Sequence, residues 1–201
     1  AERERDVLGI DAAAFHAPPQ HVRLPAGHED PAVAKRVFGT KMRSVIDLAN
    51  PKGIGDIVLQ QFDFADQIAR KDLMPIIEPE VLIKSPERDG ADRILLDELR
   101  QALDALPDGR QVMLKLSIPA EPGLFQPLVR HPRVLRVVAL SGGFSRAEAC
   151  FELAKNEGMV ASFSRALLEG LRHDMSDEEF DRVLGKSIDE ICRASTEKVA
   201  A

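Results

Sequence analysis

Hydrophobic residues follow two alternating patterns along this chain from about residue 37 onward. Short apolar runs predict strands, and longer segments with apolar residues every three or four positions predict helices. The predicted strands cover residues 37–44, 73–80, 111–119, 134–140 and 159–163. The predicted helices cover residues 54–69, 91–106, 123–129, 145–158 and 164–171, followed by a last helix that begins at Ser176. Ser145 with Glu148 and Ser176 with Glu179 are spaced as capping boxes.

Strands that alternate with helices of this length predict parallel β/α units with right-handed crossovers. The third predicted strand, 111–119, is apolar on both faces, as expected for a parallel sheet that is covered on both sides, while the first has alternating character. The pattern alone leaves two architectures open, an open doubly wound sheet and a closed barrel.

Residues 1–36 show no sustained period and are predicted to form an irregular N-terminal leader, with a short helix at residues 11–15. The predicted domain is therefore residues 37–201. The leader contains His16, His21 and His28, but their spacing fits neither a zinc finger nor two ligands one helical turn apart. A solvated polar loop is favoured over a metal site.

Composition narrows the function. The 201 residues are 44% hydrophobic and 30% charged, which is typical of a globular domain, and the net charge of -6 argues against a nucleic-acid partner. The chain has no apolar run long enough for a membrane span and no signal-peptide core at its N-terminus. We expect a cytoplasmic protein whose two cysteines, Cys150 and Cys192, are reduced.

Lys115 lies within the apolar run of the third predicted strand. An ammonium group in such surroundings is costly unless it is paired or neutral. Burial and a nearby cation both favour the neutral amine, which is a nucleophile. The residue therefore predicts either a catalytic amine or a lysine paired with a carboxylate for structural reasons.

Polar residues gather toward the carboxyl ends of the five predicted strands, where ligands bind in parallel α/β folds. In chain order they are Lys41 and Arg43, Glu78 and Glu80, Lys115 with Ser117, the loop Ser141-Gly142-Gly143, and Arg165. Each of them taken alone fits a solvated edge or an ordinary loop. Their recurrence on successive strands predicts one shared site.

Phosphate is the ligand that these residues suggest. Backbone N–H groups of the Ser141-Gly142-Gly143 loop, just before a helix, suit an anion, and Arg165 can add a bidentate contact. Lys41 and Arg43 provide a second cationic point. Two anion sites that flank a nucleophilic amine suit a substrate with phosphate at one or both ends.

Five segments in this order resemble class I fructose-bisphosphate aldolases of the bacterial type. They are FGTKMRS at 38–44, PIIEPEV at 75–81, MLKLSIP at 113–119, LSGG at 140–143 and ASFSRAL at 161–167. The resemblance implies a TIM barrel of (β/α) units that is incomplete here, with about five of the eight strands, corresponding to strands four to eight.

The same resemblance implies reversible cleavage of fructose 1,6-bisphosphate to dihydroxyacetone phosphate and glyceraldehyde 3-phosphate, in glycolysis. It implies that Lys115 forms the Schiff base, that Glu78 accepts protons, and that Glu80 is its neighbouring carboxylate. It assigns the substrate and its phosphates to Lys41, Arg43, Ser141, Gly142, Gly143 and Arg165. No metal or other cofactor is expected, because the covalent imine is made by Lys115 itself.

The resemblance leaves alternatives open. Nothing in residues 1–36 looks like the three upstream strands of the family, including a catalytic aspartate on the first. The chain could instead be an inactive fragment that binds sugar phosphate or a partner chain, or a lysine-imine aldolase for another sugar phosphate. An open sheet edge also predicts association, as a homo-oligomer or through that edge.

Overall fold

The computed structural model describes residues 31–199, which alternate between strands and helices. The elements are α1 (Pro31–Ala34), β1 (Gly39–Ile46), α2 (Pro51–Ala69), β2 (Met74–Val81), α3 (Arg88–Asp104), β3 (Val112–Ser117), α4 (Gln126–Val129), β4 (Val134–Leu140), α5 (Arg146–Ala154), β5 (Val160–Ala161), α6 (Arg165–Leu168) and α7 (Asp177–Thr196). No helix within this range has the length and apolarity that crossing a bilayer requires.

The five strands form one parallel sheet in the order β1-β2-β3-β4-β5. Each strand pairs with the next one along the chain, as (β/α) units of a barrel do. Within residues 31–199 the order is linear, with β1 and β5 at the two edges, so the barrel is incomplete. The predicted fold class is confirmed, and the sheet follows the barrel order instead of the reversed order of a doubly wound fold.

Pairing between neighbouring strands is uneven. The β1–β2 register runs from Gly39–Met74 to Ile46–Val81, whereas β4 and β5 pair only at Val138–Val160 and Ala139–Ala161. The β2–β3 register contains Ile76–Met113 and Ile77–Leu114 and stops there. The sheet is therefore continuous on the β1 side and opens between β2 and β3 beyond Ile77.

The core lies between the sheet and the helices that cover it. Helix α3 contributes Leu95, Leu99 and Leu103, which are spaced for one helical face and are at most 1% exposed. The β3 residues Leu114 and Leu116 are fully buried in the same apolar cluster. Because successive strand residues point to opposite faces, burying Leu114 and Leu116 against helices directs Lys115 to the other face of the sheet.

Element boundaries differ from the predicted ones in a few places. Strand β1 begins at Gly39, not residue 37, and continues to Ile46, while β5 contains only Val160 and Ala161. The Ser145–Glu148 capping box is complete. At α7 the Ser176 side chain accepts a hydrogen bond from the Glu179 N–H, but the Glu179 carboxylate lies 3.6 Å from Arg172. A competing cation therefore leaves the second box half formed.

The predicted leader falls almost entirely on residues before 31. The short helix at residues 11–15 and the three histidines, His16, His21 and His28, lie outside the described residues. Near the predicted boundary at residue 36, the structure describes helix α1 and the start of β1. The division into residues 1–36 and 37–201 stays a prediction.

Candidate active site

Two cation–carboxylate pairs connect β1 with β2. Lys41 Nζ lies 2.9 Å from Glu78 Oε2, and Arg43 Nε donates to Glu80 Oε2 at 2.6 Å. The register pairs Arg43 with Glu78, so that Lys41 and Arg43 lie beside the two glutamates along the same face. Both glutamates are buried, whereas the two cations are about half exposed. These residues lie within the strands and not at their ends, because β1 and β2 run on to Ile46 and Val81.

Lys115 approaches the same carboxylate from the other side. Its Nζ lies 3.3 Å from Glu78 Oε1, and its side chain is 17% exposed. The β2–β3 register pairs Ile77 with Leu114, which brings Glu78 beside Lys115. Glu78 thus contacts two lysines through its two oxygens. The amine of Lys115 is neither in bulk solvent nor sealed in the core, and it has a proton acceptor within reach.

Polar contacts hold the C-terminal end of β3, where backbone pairing between β2 and β3 is absent. Ser117 Oγ donates to Val81 O at 2.6 Å. Two side chains of α3 bind the backbone that follows β3. Arg88 Nη2 donates to Ile118 O, and Asp92 Oδ2 accepts from Ala120 N at 2.9 Å. These bonds replace backbone pairing and fix the end of the Lys115 strand to its neighbours.

Asp92 is the buried member of that arrangement. It is fully buried, and burial raises the pKa of its carboxyl, while the Ala120 N–H and the Arg88 guanidinium oppose the rise. Arg88 Nε lies 3.4 Å from Asp92 Oδ2. Sequence reasoning missed both residues. The one signal in the sequence was an i, i+4 Arg–Asp pair on the core side of a helix, which usually indicates a surface pair.

The loop after β4 contains two consecutive glycines with left-handed backbone. Gly142 and Gly143 have positive φ values of 61° and 107°. A Cβ at Gly142 would lie 2.6 Å from Ile83 Cγ2, so glycine is required there both by its φ and by space. Within residues 31–199, the N–H groups of Gly142 and Gly143 have no hydrogen-bond acceptor. Two backbone donors are therefore free for a ligand.

The N-terminus of α5 is capped, as the Ser145–Glu148 spacing predicted. The protein's own carboxylates accept the N–H groups at this helix start. Glu148 Oε2 accepts from Ser145 N at 3.0 Å, and Glu169 Oε2 accepts from Arg146 N at 2.7 Å. The free donors are thus those of the loop before the helix, and not those of the helix.

Arg165 lies at the start of α6, on the same side as that loop. It is exposed, and within residues 31–199 its guanidinium has no carboxylate within 4 Å. Arg165 lines an open groove of about 460 Å³ together with Gly143, Phe144 and Ser145. Buried Ser141 precedes the loop, and its carbonyl accepts the Phe144 N–H at 2.9 Å.

The predicted site residues therefore form two groups. Lys41, Arg43, Glu78, Glu80 and Lys115 share one connected set of ion pairs on β1–β3. Gly143 and Arg165 line the groove after β4 and β5, and Ser141 and Gly142 directly precede Gly143 in the same loop. Because β3 and β4 are neighbours, with Lys115 beside Val138, the two groups lie on adjacent strands. Chemically, this arrangement offers an amine, a proton acceptor and free donors for an anion.

Side chains that bind metals are not grouped in the described part of the chain. Among residues 31–199, no group of three or more His, Cys, Asp or Glu side chains is arranged to hold a metal ion. His131 contacts Asp104 Oδ1 at 3.0 Å through Nε2. Its Nδ1 accepts from Arg133 N at 3.2 Å, so both ring nitrogens have partners.

Comparison with known proteins finds an aldolase relative. The chain is 51% identical over 164 residues to a protein from Clostridium acetobutylicum named fructose-bisphosphate aldolase class 1. This chain is homologous to the class I fructose-bisphosphate aldolases. The match covers 82% of the chain and 56% of that relative, so the chain spans a little over half the length of this aldolase. No protein-family model matches the chain.

A solved aldolase supports the fold. The fructose-bisphosphate aldolase from Plasmodium falciparum, solved with TRAP and a small-molecule inhibitor, superposes with a TM-score of 0.65. The alignment covers 90% of this chain and 67% of the other, at 21% sequence identity. That likeness bears on the fold alone. The parallel sheet described above is thus a portion of an aldolase barrel, as the sequence motifs implied.

Proposed function

We propose that this chain carries the imine-forming site of a class I fructose-bisphosphate aldolase, which cleaves fructose 1,6-bisphosphate to dihydroxyacetone phosphate and glyceraldehyde 3-phosphate. The observation that carries the proposal is the Lys115–Glu78 contact of 3.3 Å in a chain 51% identical to a class 1 aldolase. Because the chain spans only part of that relative, turnover by this chain is part of the proposal.

Imine formation uses Lys115 and Glu78. Glu78 takes a proton from the Lys115 ammonium, and the resulting amine attacks the C2 ketone carbon of the substrate. A proton then moves from nitrogen to oxygen, giving a carbinolamine. Protonated Glu78 donates to the C2 hydroxyl, water leaves, and a cationic imine remains on Lys115. Glu78 is a carboxylate again at this point.

The positive charge of the imine on Lys115 makes carbon–carbon cleavage possible, because it can accept an electron pair. The Glu78 carboxylate accepts the proton of the C4 hydroxyl, the C3–C4 bond breaks, and its electron pair moves to the imine nitrogen. Glyceraldehyde 3-phosphate leaves and an enamine remains on Lys115. Glu78 returns its proton to C3, and water hydrolyses the imine to release dihydroxyacetone phosphate. Lys41, paired with the other oxygen of Glu78, holds that carboxylate in place.

The remaining residues bind and orient. The N–H groups of Gly142 and Gly143, next to Ser141, donate to the phosphate near the ketone, and Arg165 closes on the same phosphate from α6. Arg43, held by Glu80, contributes positive charge toward the far end of the substrate. Fixing the substrate relative to Lys115 contributes to catalysis by orientation. We assign glycolysis as the pathway and expect no cofactor, since Lys115 provides the covalent intermediate.

The decisive experiment is reduction with sodium borohydride in the presence of dihydroxyacetone phosphate. We expect one covalent adduct, mapped to Lys115 by peptide mass spectrometry, and no adduct for Lys115→Met. Circular dichroism should show that the variant keeps its fold, since the substitution removes the ion pair to Glu78 but keeps a side chain of similar length. Absence of an adduct on the unmodified chain, or an adduct elsewhere, contradicts the proposal.

A second candidate is an inactive portion that binds sugar phosphate or a partner chain. The open sheet favours it, because β1 and β5 are both edges within residues 31–199. An adduct with dihydroxyacetone phosphate without cleavage of fructose 1,6-bisphosphate would support this candidate. Cleavage of a different sugar phosphate instead would indicate another lysine-imine aldolase.

A further inference from the structure

One residue on the core face of α2 is polar where the pattern calls for an apolar side chain. The buried positions of α2 are Ile54, Val58, Gln61 and Ala65, which lie on one helical face. Gln61 is only 1% exposed. A methionine or leucine at this position would fill similar space and add apolar contact, so the amide needs a specific explanation.

The amide of Gln61 contacts the backbone of the proposed proton acceptor. Glu78 N donates to Gln61 Oε1 at 2.8 Å in a buried environment. Gln61 Nε2 has no hydrogen-bond partner within the described residues, although it is buried. An unpaired buried donor is costly, which makes a purely packing role for glutamine a poor explanation.

The strand segment that Gln61 contacts is weakly held on one side. The β2–β3 register ends at Ile77–Leu114, one residue before Glu78. Pro79 follows, and proline has no N–H to offer a ladder. Helix α2 therefore supports the backbone of Glu78 at the place where pairing with β3 is absent.

The side chain of Glu78 depends on this backbone. Its two oxygens must reach Lys41 at 2.9 Å and Lys115 at 3.3 Å at the same time. A small rotation of the peptide at Glu78 would lengthen one of these contacts. We propose that Gln61 is a positioning residue that fixes the Glu78 backbone so that its carboxylate stays between Lys41 and Lys115. This inference rests on the function proposed above.

The test compares Gln61→Met with Gln67→Met. Gln67 is on the same helix but more exposed, and its side chain makes a 3.4 Å bond to Asp63 O. Borohydride trapping with dihydroxyacetone phosphate is measured across ligand concentrations. Gln61→Met should lower the maximal trapping rate at least about tenfold, because misplacement of about 1 Å can cost 10²-fold. The half-saturating concentration should not change, because the Ser141-Gly142-Gly143 loop that we propose to bind phosphate follows β4, whereas Gln61 contacts β2. Gln67→Met should change neither quantity.

A second measurement does not depend on chemistry. The Glu78 amide of the unmodified chain should exchange with deuterium slowly, and much faster in Gln61→Met than in Gln67→Met. A Glu78 amide in the unmodified chain that exchanges as fast as the Gly143 amide overturns the proposal, even if the Gln61 variant does not fold.

The outcomes separate this inference from the proposed function. If the unmodified chain forms an adduct and Gln61→Met behaves like Gln67→Met, Gln61 has no positioning role and the aldolase proposal stands. If the unmodified chain forms no adduct, the proposed function fails, and the inference fails with it. Equal loss of rate and affinity in Gln61→Met would indicate general damage and also overturns it.

Discussion

The two sides of the candidate site differ in how their charges are used. On β1–β3, Lys41, Arg43 and Lys115 all contact Glu78 or Glu80. After β4 and β5, Arg165 has no carboxylate partner within the described range, and two loop N–H groups have no acceptor. The first side is assembled by the protein itself, and the second has its donors ready for a ligand.

Pairing within the sheet follows the same division. The β1–β2 register is continuous over both strands, whereas β5 contributes only Val160 and Ala161. The ion pairs of Lys41 and Arg43 lie where the sheet is best paired, whereas the β2–β3 register ends before Glu78 and Lys115. The N–H groups of Gly142 and Gly143 lie on a loop, where backbone donors can point at an anion. The comparison predicts that substitutions on the first side alter stability and chemistry together, and that removal of a ligand-facing side chain on the second alters binding alone.

The largest effect is expected for Glu78→Gln. Removal of this carboxylate leaves Lys41 and Lys115 close together without an anion, which should destabilise the fold by about 3 kcal/mol. Trapping should slow about 10²-fold, through loss of proton transfer. Urea unfolding and the borohydride assay measure the two effects.

Asp56→Asn is the matched control for this prediction. Asp56 pairs with Lys52 at 2.6 Å on the exposed face of α2. Exposed pairs contribute little, so no clear change in either measurement is expected. Equal destabilisation by both substitutions would remove the distinction between the two sides.

The next largest effect is expected for Gly142→Ala. The φ of +61° and the 2.6 Å approach to Ile83 Cγ2 add strain and overlap. We expect a loss of about 2–3 kcal/mol, of which about 1–2 kcal/mol arises from the left-handed backbone alone. Gly123→Ala isolates the backbone contribution, because Gly123 has a φ of +81° and an added Cβ would meet no described atom within 4 Å. Thermal unfolding compares the stabilities of the two variants. Equal losses of stability would show that the Ile83 side chain moves aside at little cost.

A smaller effect is expected for Arg165→Ala. Loss of one charged contact to phosphate should weaken the binding of dihydroxyacetone phosphate about tenfold, or about 1.4 kcal/mol. Stability should not change, because no protein carboxylate depends on this guanidinium among the described residues. Calorimetry with Arg100→Ala as an exposed control checks both statements. Unchanged affinity would remove Arg165 from the site.

The smallest effect concerns the two thiols and tests whether the β4–β5 side is loosely packed. Burial, aided by the nearby Glu190, raises the pKa of Cys150 to about 11, whereas Cys192 is exposed. At pH 8 a thiol-disulfide reagent should modify Cys192 readily and leave Cys150 unreacted until the chain is unfolded. Rapid modification of both thiols would mean that α5 opens often.

The hydrophobic pattern alone was sufficient to predict strands and helices whose residues repeat regularly. The β4 bounds, 134–140, agree with the prediction, because every residue but Arg136 is apolar. The α2 and α3 stripes follow helical spacing and were found within a few residues. The ends of β1 and β5 were predicted less well, since strand ends depend on a partner strand that a single segment does not specify.

Residue types suggested the candidate site, but the contacts between its residues could be known only from the folded structure. Lys41, Glu78 and Lys115 meet because of the β1–β2 and β2–β3 registers, which the sequence does not state. The Ser145–Glu148 capping box at the start of α5 was predicted, but the contact of the Glu169 carboxylate with Arg146 N comes from a distant loop and could not be foreseen. Gln61 looked like an ordinary helix residue, because its partner is a backbone group on another element.

The shared carboxylate at Glu78 has an electrostatic consequence. With both lysines protonated, the β1–β3 cluster holds three cations, Lys41, Arg43 and Lys115, against two anions, Glu78 and Glu80, and Arg165 adds another positive group nearby. The β1–β3 cluster thus carries a net positive charge in a chain whose net charge is -6. We expect phosphorylated molecules to be attracted to this cluster, and added salt to weaken that attraction by screening.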